Sequence, residues 1–227
     1  MVDHHVDRLD VEAQQCAQLT STNSSIGLIY ALKKIFMKKK IIFLGYSSKK
    51  TNLIKFLRKK KNIVKVLGNS DINRKTIEKA DLVISFGYRK IIKSSLFKFS
   101  KRPILNLHIS FLPFNRGSHP NFWSFIENTP KGVTIHEIDK KIDKGSIVFR
   151  KKITFIRKNN LTFKETHNIL IKEIERLFIK NYNKIISGNY LRKKIKLKGT
   201  IHKSSELPNN IKSWNVKISD YLKSYNN

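Results

Sequence analysis

The chain has 227 residues, enough for one domain with a proper core and a small appendage, and its 40% hydrophobic content marks it as globular rather than disordered. The net charge of +31 points either to a polyanionic partner or to composition alone; lysine, isoleucine and asparagine are abundant in every segment, which favours composition. The single cysteine, Cys16, excludes an intramolecular disulfide and a cysteine-built metal site and fits a reducing compartment. No apolar run approaches the roughly 18 residues that a spanning helix needs. The best run, "SIGLIYALKKIF", is short, is broken by lysines and has its basic residues after it rather than before it, unlike a secretory signal. A soluble cytoplasmic protein with no membrane partner is the expectation.

Residues 1–36 differ from the rest. Asp3, Asp7, Asp10 and Glu12 outweigh Arg8, Lys33 and Lys34, and Gln, Ser and Thr dominate the stretch, so it reads as a poorly ordered extension with Met37 as the natural start of the domain. "VDHHVD" at 2–7 resembles the metal-binding signature of the DHH phosphoesterases, but no supporting domain surrounds it, and no metal is expected.

From residue 37 the pattern alternates. "KIIFLGY" is a short apolar run closed by glycine, the signature of a buried parallel strand. "SSKKTNLIKFLRKKK" carries serine caps and apolar residues at helical spacing, "NIVKVLG" is a second strand, "DINRKTIEKA" a short helical link and "DLVISFGY" a third strand. "RKIIKSSLFKFS" predicts a helix and "RPILNLHISFL" a fourth strand. Four of the five prolines lie between 103 and 130, marking a loop-dense stretch in which Phe122, Trp123 and Phe125 of "PNFWSF" read as helix core. "GVTIHEID" and "SIVFRKKITF" form a hairpin around "KKIDKGS", with His136 read as a packed or hydrogen-bonded strand residue. "TFKETHNILIKEIERLFIKNYNKIISG" is the clearest helix, capped by Thr162 with Glu165 and ended by Gly188. "RKKIKLKGTIH" is a last strand or extended arm. The alternation predicts a doubly wound α/β domain with a mostly parallel sheet flanked by helices.

The turn after the first strand reads "LGYSSKKTN", with one glycine, so neither the dinucleotide fingerprint nor a P-loop is present and NAD, FAD and ATP are excluded as bets. Ligands of such sheets collect at strand ends, here "SFGYRK" at 85–90 and "NLHISFLPFNRG" at 106–117. On a strand, Asn106, His108 and Ser110 share one face. An amide can donate to an oxyanion, an imidazole can move a proton near neutral pH, and a carboxylate, Asp139 or Asp143, can orient that imidazole. With no G-x-S-x-G and no usable cysteine, the chemistry suggested is direct attack by a substrate nucleophile on a carbonyl.

"NLHISFLPFNRG…PNFWSF" followed by "GVTIHEIDKKIDKGSIV" resembles the signature of the folate-dependent formyltransferases, and "DLVISFGYRKII" fits upstream. The resemblance covers roughly 37–203 and implies a Rossmann-like formyltransferase domain at 37–190, followed by a short basic C-terminal extension at 191–227. It implies that 10-formyltetrahydrofolate donates a formyl group to an amine. Carried over by position, Asn106, His108 and Asp143 are the catalytic trio: His108 the acid/base, Asn106 the oxyanion donor, Asp143 the group that orients His108 or relays its proton. Phe86, Gly87, Tyr88 and Ile91 line the pterin pocket through backbone contacts, helped by Ile138 and Asp139. Ser110, Asn115, Arg116 and Gly117 face the acceptor, with Arg116 and the basic tail meeting a pyrophosphate. Lys144 departs from the family's usual Thr and leaves the shape of that loop open.

Within the family, "RGSHPNFWSF", "PKGVTIHEID" and "GTIHKSSEL" are most similar to the sugar-nucleotide N-formyltransferases, which act on substrates such as dTDP-4-amino-4,6-dideoxyhexoses used in surface polysaccharide. The partners implied are small molecules, with a homodimer allowed and nucleic acid not expected. The alternatives are a methionyl-tRNA formyltransferase-like enzyme without its C-terminal barrel, and an inactive basic nucleic-acid-binding relative.

Overall fold

The computed structural model describes residues 38–156 and 160–225. "VDHHVD", Cys16, "SIGLIYALKKIF" and Met37 lie outside the described residues. Six strands form the main sheet: β1 (Lys40–Gly45), β2 (Ile63–Gly68), β3 (Leu82–Phe86), β4 (Leu105–His108), β6 (Gly132–Glu137) and β7 (Ile147–Lys152). Their order is β2-β1-β3-β4-β6-β7. The first four run parallel; β6 is antiparallel to both β4 and β7. A two-stranded ribbon pairs β5 (Arg116–Gly117) in parallel with β8 (Ile201–His202). The helices are α1 (Leu53–Lys59), α2 (Arg74–Glu78), α3 (Pro120–Ile126), α4 (Phe163–Lys180), α5 (Tyr182–Ser187) and α6 (Ile218–Tyr225). Among the described residues no helix is long and apolar enough to cross a membrane.

Strand alternation sorts the core into two layers. Ile41, Phe43, Leu82, Ile84, Leu105, Leu107, Val133 and Ile135 face one side, where Leu53, Ile54 and Leu57 of α1 and Leu170, Ile174 and Phe178 of α4 bury them. Ile42, Leu44, Val83 and Ile104 face the other, against Ile72, Ile77, Ala80 and Ile92. Each of the larger side chains contributes about 1.5–3 kcal/mol by leaving water, the Ala80 methyl less. Among the described residues the helical cover of the second layer is short, namely α2 and a 3-10 segment, Ser94–Phe99. On this side β4 and β6 carry Asn106, His108, Thr134 and His136 instead of apolar residues.

Several elements differ from the sequence reading, each for a visible reason. The helix expected over 89–100 shrinks to the 3-10 segment, because the chain before it is tied to the loop after β2: Arg89 N donates to Asn69 Oδ1 at 3.0 Å and Tyr88 OH to Ser70 O at 3.0 Å. The long helix keeps its capping box at Thr162 and Glu165 and its left-handed Gly188 end, but it is reset at Asn181. There the Asn181 amide donates to Leu177 O at 2.8 Å and competes with the helical ladder. The fourth strand stops at His108 rather than Leu112. Beyond it the Thr134 hydroxyl donates to Ser110 O at 2.7 Å and accepts from Leu112 N at 3.2 Å, turning the chain away from the sheet.

The tail, expected as a last strand or extended arm, meets the main sheet through a bridge between Ile147 and Lys193 and supplies β8 to the ribbon with β5. It then packs Ile218 and Tyr221 against Phe122, Trp123, Phe125 and Phe163 in a third apolar cluster, so one compact unit runs from Lys39 onward. The three aromatics of α3 are core residues, as expected.

The capping box gives a direct check on the helix that covers the first layer. Thr162→Ala should cost about 1 kcal/mol and lower the thermal midpoint by about 2–4 °C, read by thermal unfolding, while Thr162→Ser retains the wild-type midpoint.

Candidate active site

The β4–β6 register sets the site. Asn106 lies directly opposite His136, and His108 opposite Thr134. Because the apolar residues of both strands face α4, the four polar side chains share the other face. The loop between β6 and β7 folds back beneath them, closed by a hydrogen bond from Lys144 N to Lys141 O at 3.3 Å. Asp143 takes a left-handed φ of 48° and turns its carboxylate inward, while Lys144 at the position of departure stays exposed.

Asp143 is the hub. Its Oδ1 accepts from Asn106 Nδ2 at 3.3 Å and lies 3.3 Å from His136 Nε2. Its Oδ2 accepts from Gly117 N at 2.8 Å and lies 3.6 Å from His108 Nε2. Asn106 Nδ2 is also 3.2 Å from His136 Nε2, and His136 Nδ1 is 2.8 Å from Glu137 O. Burial alone would raise the Asp143 carboxyl, but the electrostatic pull of the His108 ring beside it, the hydrogen bond from His136 and the Gly117 N–H together hold it well below the usual carboxylate range. It is a buried anion at neutral pH.

His108 is pushed the other way. Burial lowers it below its ordinary value, with Asp143 opposing and His136 adding to the fall. The neutral ring is therefore the resting form. Nε2 faces two oxygens, Asn115 O at 3.3 Å and Asp143 Oδ2, so the ring proton is assigned to Nε2. Among the described residues Nδ1 has no hydrogen-bond partner and is the lone pair left for a ligand. A neutral imidazole backed by a carboxylate, with an amide beside it, can accept a proton from a nucleophile and donate a hydrogen bond to a carbonyl oxygen.

Asn106, His108 and Asp143 thus meet in space. The expected acceptor residues divide. Ser110 has left the strand: it is 3% exposed and its hydroxyl donates to Phe114 O inside the turn. Asn115 is buried, with its amide donating to Glu127 and Thr200 and accepting from Thr129. Arg116 is turned inward, towards the tail. It is 6% exposed and its guanidinium donates to Gly199 O at 3.1 Å and Thr200 O at 3.3 Å, satisfying carbonyls of the tail. Gly117 reaches the site through its N–H. Its φ of 82° and the approach of His202 O, 2.3 Å from where a Cβ would stand, leave room for glycine only.

The expected pterin residues divide as well. A cleft of about 420 Å³ lies along the loop that carries Asp143, lined by Phe97, Arg102, Ile104, Ile138, Asp139 and Gly145, among others. It includes Ile138 and Asp139 but not Phe86, Gly87, Tyr88 or Ile91. Phe86 is sealed in the core and its carbonyl accepts from Tyr46 N; Gly87 lies against the Tyr46 ring; Tyr88 is tied to Ser70; and Ile91 projects into solvent, 80% exposed. Phe97 and Ile104 were not singled out in the sequence, nor was His136 as a site residue. Its signal was present: in "VTIHEI" it alternates with the two apolar residues that face the core. Among the described residues no cluster of three His, Cys, Asp or Glu side chains is placed to hold a metal ion.

The formyl transferase family model matches residues 35–180. The crystal structure of the formyltransferase PseJ from Anoxybacillus kamchatkensis, in complex with UDP-4,6-dideoxy-4-formamido-L-AltNAc and tetrahydrofolate, superposes with a TM-score of 0.72 at 33% identity, over 81% of this chain and 97% of that one. The bifunctional polymyxin resistance protein ArnA of Wigglesworthia glossinidia brevipalpis is 42% identical over 82 residues, 36% of this chain and 12% of ArnA. A dTDP-4-amino-4,6-dideoxyglucose formyltransferase of Mycobacterium bovis is 37% identical over 76 residues, 34% of this chain and 32% of that protein. The matched stretches span about a third or less of these curated relatives. With a family match that runs from before β1 to the end of α4, and a relative of similar structure aligned over nearly its whole length, the chain belongs to the formyl transferase family.

Proposed function

We propose that this protein transfers a formyl group from 10-formyltetrahydrofolate to the amine of a nucleotide-linked amino-deoxysugar. The observation that carries the reading is the neutral His108 ring, its Nδ1 unpartnered among the described residues, set between Asn106 and an ionised Asp143. The choice of acceptor class rests on the likeness to PseJ, whose complex holds a formamido sugar nucleotide together with tetrahydrofolate. The catalytic unit is the compact body from Lys39 onward, tail included. Folates and nucleotide sugars are charged molecules that do not cross membranes unaided, which supports a cytoplasmic protein.

The residues present fit the folate. Phe97, Ile104 and Ile138 supply apolar walls and Asp139 a hydrogen-bonding edge, which suits a flat heterocycle. When bound, it supplies a formyl carbon attached to a weakly basic nitrogen. His108 Nδ1 takes the proton from the acceptor amine as the new N–C bond forms, and Asp143 stabilises the imidazolium so produced. Asn106 donates towards the oxygen on which charge grows; its Nδ2 already donates to Asp143 Oδ1 at 3.3 Å, a long contact that leaves the amide's second N–H for the new one. The imidazolium returns its proton to the folate nitrogen as the old N–C bond breaks, so the ring ends neutral.

The test is incubation with 10-formyltetrahydrofolate and a panel of amino-sugar nucleotides, glycinamide ribonucleotide and methionyl-tRNA, each product weighed by mass spectrometry. An amino-sugar nucleotide should gain one formyl group in place of hydrogen, and His108→Ala should lower the rate by about 10²–10⁴-fold. Formylation of methionyl-tRNA alone would transfer the reading to a tRNA enzyme.

The pH profile offers a separate check. Because His108 must be neutral and is held low by burial, kcat/KM should rise through an acid limb below the ordinary histidine value of about 6.5. Asp143→Asn removes the anion that favours the charged ring. It should move this limb to still lower pH, measured with the same acceptor so that the amine's own ionisation cancels, and should reduce kcat.

A further inference from the structure

The segment Gly199–His202 joins the sheet through neither β4 nor β6, yet it controls the loop that faces both reacting side chains. β8 pairs with β5 through Arg116 N to Thr200 O at 3.0 Å and Ser118 N to His202 O at 2.9 Å. The Thr200 hydroxyl accepts from Asn115 N at 2.9 Å and from Asn115 Nδ2 at 3.4 Å. Arg116 folds its guanidinium over the Gly199 and Thr200 carbonyls. His202 is itself fixed: its ring stacks on Trp123 with centroids 4.1 Å apart and planes 10° from parallel, and its Nε2 lies 2.8 Å from Glu127 Oε1. The other Glu127 oxygen accepts from Asn115 Nδ2 at 2.9 Å, and Thr129 Oγ1 donates to Asn115 Oδ1 at 2.6 Å.

These contacts converge on one buried residue in an unusual conformation. Asn115 has a φ of 53° and no exposure. With its N–H and its side-chain amide both anchored, the direction of its carbonyl is fixed, and that carbonyl lies 3.3 Å from His108 Nε2. Two residues on, the Gly117 N–H reaches Asp143. The loop therefore delivers an acceptor to the imidazole and a donor to the carboxylate, and the tail holds the loop.

We propose that Thr200, with the Gly199–His202 segment that carries it, is a positioning residue of the formyl-transfer site, holding Asn115 O and Gly117 N so that the His108 proton stays on Nε2 and Nδ1 stays free for the acceptor amine. The role rests on the functional reading above, and it assigns to a residue far along the chain the choice of which imidazole nitrogen reacts. Displacement of the Asn115 carbonyl removes one of the two oxygens that Nε2–H faces, and displacement of Gly117 releases the second.

The experiment pairs kinetics with ¹⁵N NMR of the histidine rings in the resting, full-length protein, the His108 signals being assigned by their loss in His108→Gln. Wild type should show the Nε2–H tautomer. Thr200→Val, of the same shape but without the hydroxyl, should move both His108 nitrogen shifts towards those of a free, exchanging imidazole. It should lower kcat by at least about tenfold with little change in the folate KM, and Thr200→Ser should restore both. If Thr200→Val does not fold, Thr200→Ala, which also removes the hydroxyl, is read in the same way. A folded Thr200→Val or Thr200→Ala protein with unchanged His108 shifts and unchanged kcat overturns the proposal, as does an Nδ1–H tautomer in wild type. Absence of formyl transfer by the wild type would overturn the functional reading alone, since the ring is observed without substrate.

Discussion

A carboxylate withdrawn from water has to be answered by donors, and in this protein the burial of Asp143 organises the elements around it. Its two oxygens meet Asn106 from β4, His136 from β6, Gly117 from β5 and, at longer range, His108 at the end of β4. Left unmatched, such a charge would cost several kcal/mol or would protonate. Matched, it stays ionised and fixes the relative positions of groups that the chain supplies from three separate strands. Lys144, the next residue of the loop that carries Asp143, is exposed to solvent, while the carboxylate is held from inside.

The sheet supplies the rigid part of this arrangement. Four parallel strands end in an antiparallel pair, and the antiparallel β4–β6 register puts Asn106 directly across from His136, both on the thinly covered face. The opposite face is filled by α1 and α4 and leaves no room for chemistry. The same alternation that buries Leu105, Leu107, Val133 and Ile135 therefore presents the polar set, so stability and site geometry follow from one register. The less rigid part, the 110–118 turn, is held by Thr134 from the sheet and by Thr200, Glu127 and Thr129 from outside it.

What could be read from sequence followed the range of the interactions involved. The α/β alternation, the capping box at Thr162, the glycine end of the long helix and the shared face of Asn106 and His108 are local and were legible. Period two also marked His136, but its place in the site depends on a partner strand 30 residues away, so it read as a packed strand residue. From the residues alone Asp139 and Asp143 could not be separated; the resemblance selected Asp143. Ser110, Asn115 and Arg116 have the chemistry of ligand-binding residues, but in the structure their polar groups are taken up within the protein: by the Phe114 carbonyl in its own turn for the first, and by tail atoms more than 80 residues on for the other two. Arg116 in particular looks like an anion ligand until the buried carbonyls of Gly199 and Thr200 are seen to need its donors.

The central claim is that an amine is presented to His108 Nδ1 while Asp143 backs the other side of the ring. The most direct measurement is a crystal structure of the protein with tetrahydrofolate and an amino-sugar nucleotide bound together. The account predicts the amine nitrogen within about 3 Å of His108 Nδ1 and the folate ring against Phe97, Ile104 and Ile138. An amine lying against Nε2, or a folate seated away from the Asp143 loop, would contradict it.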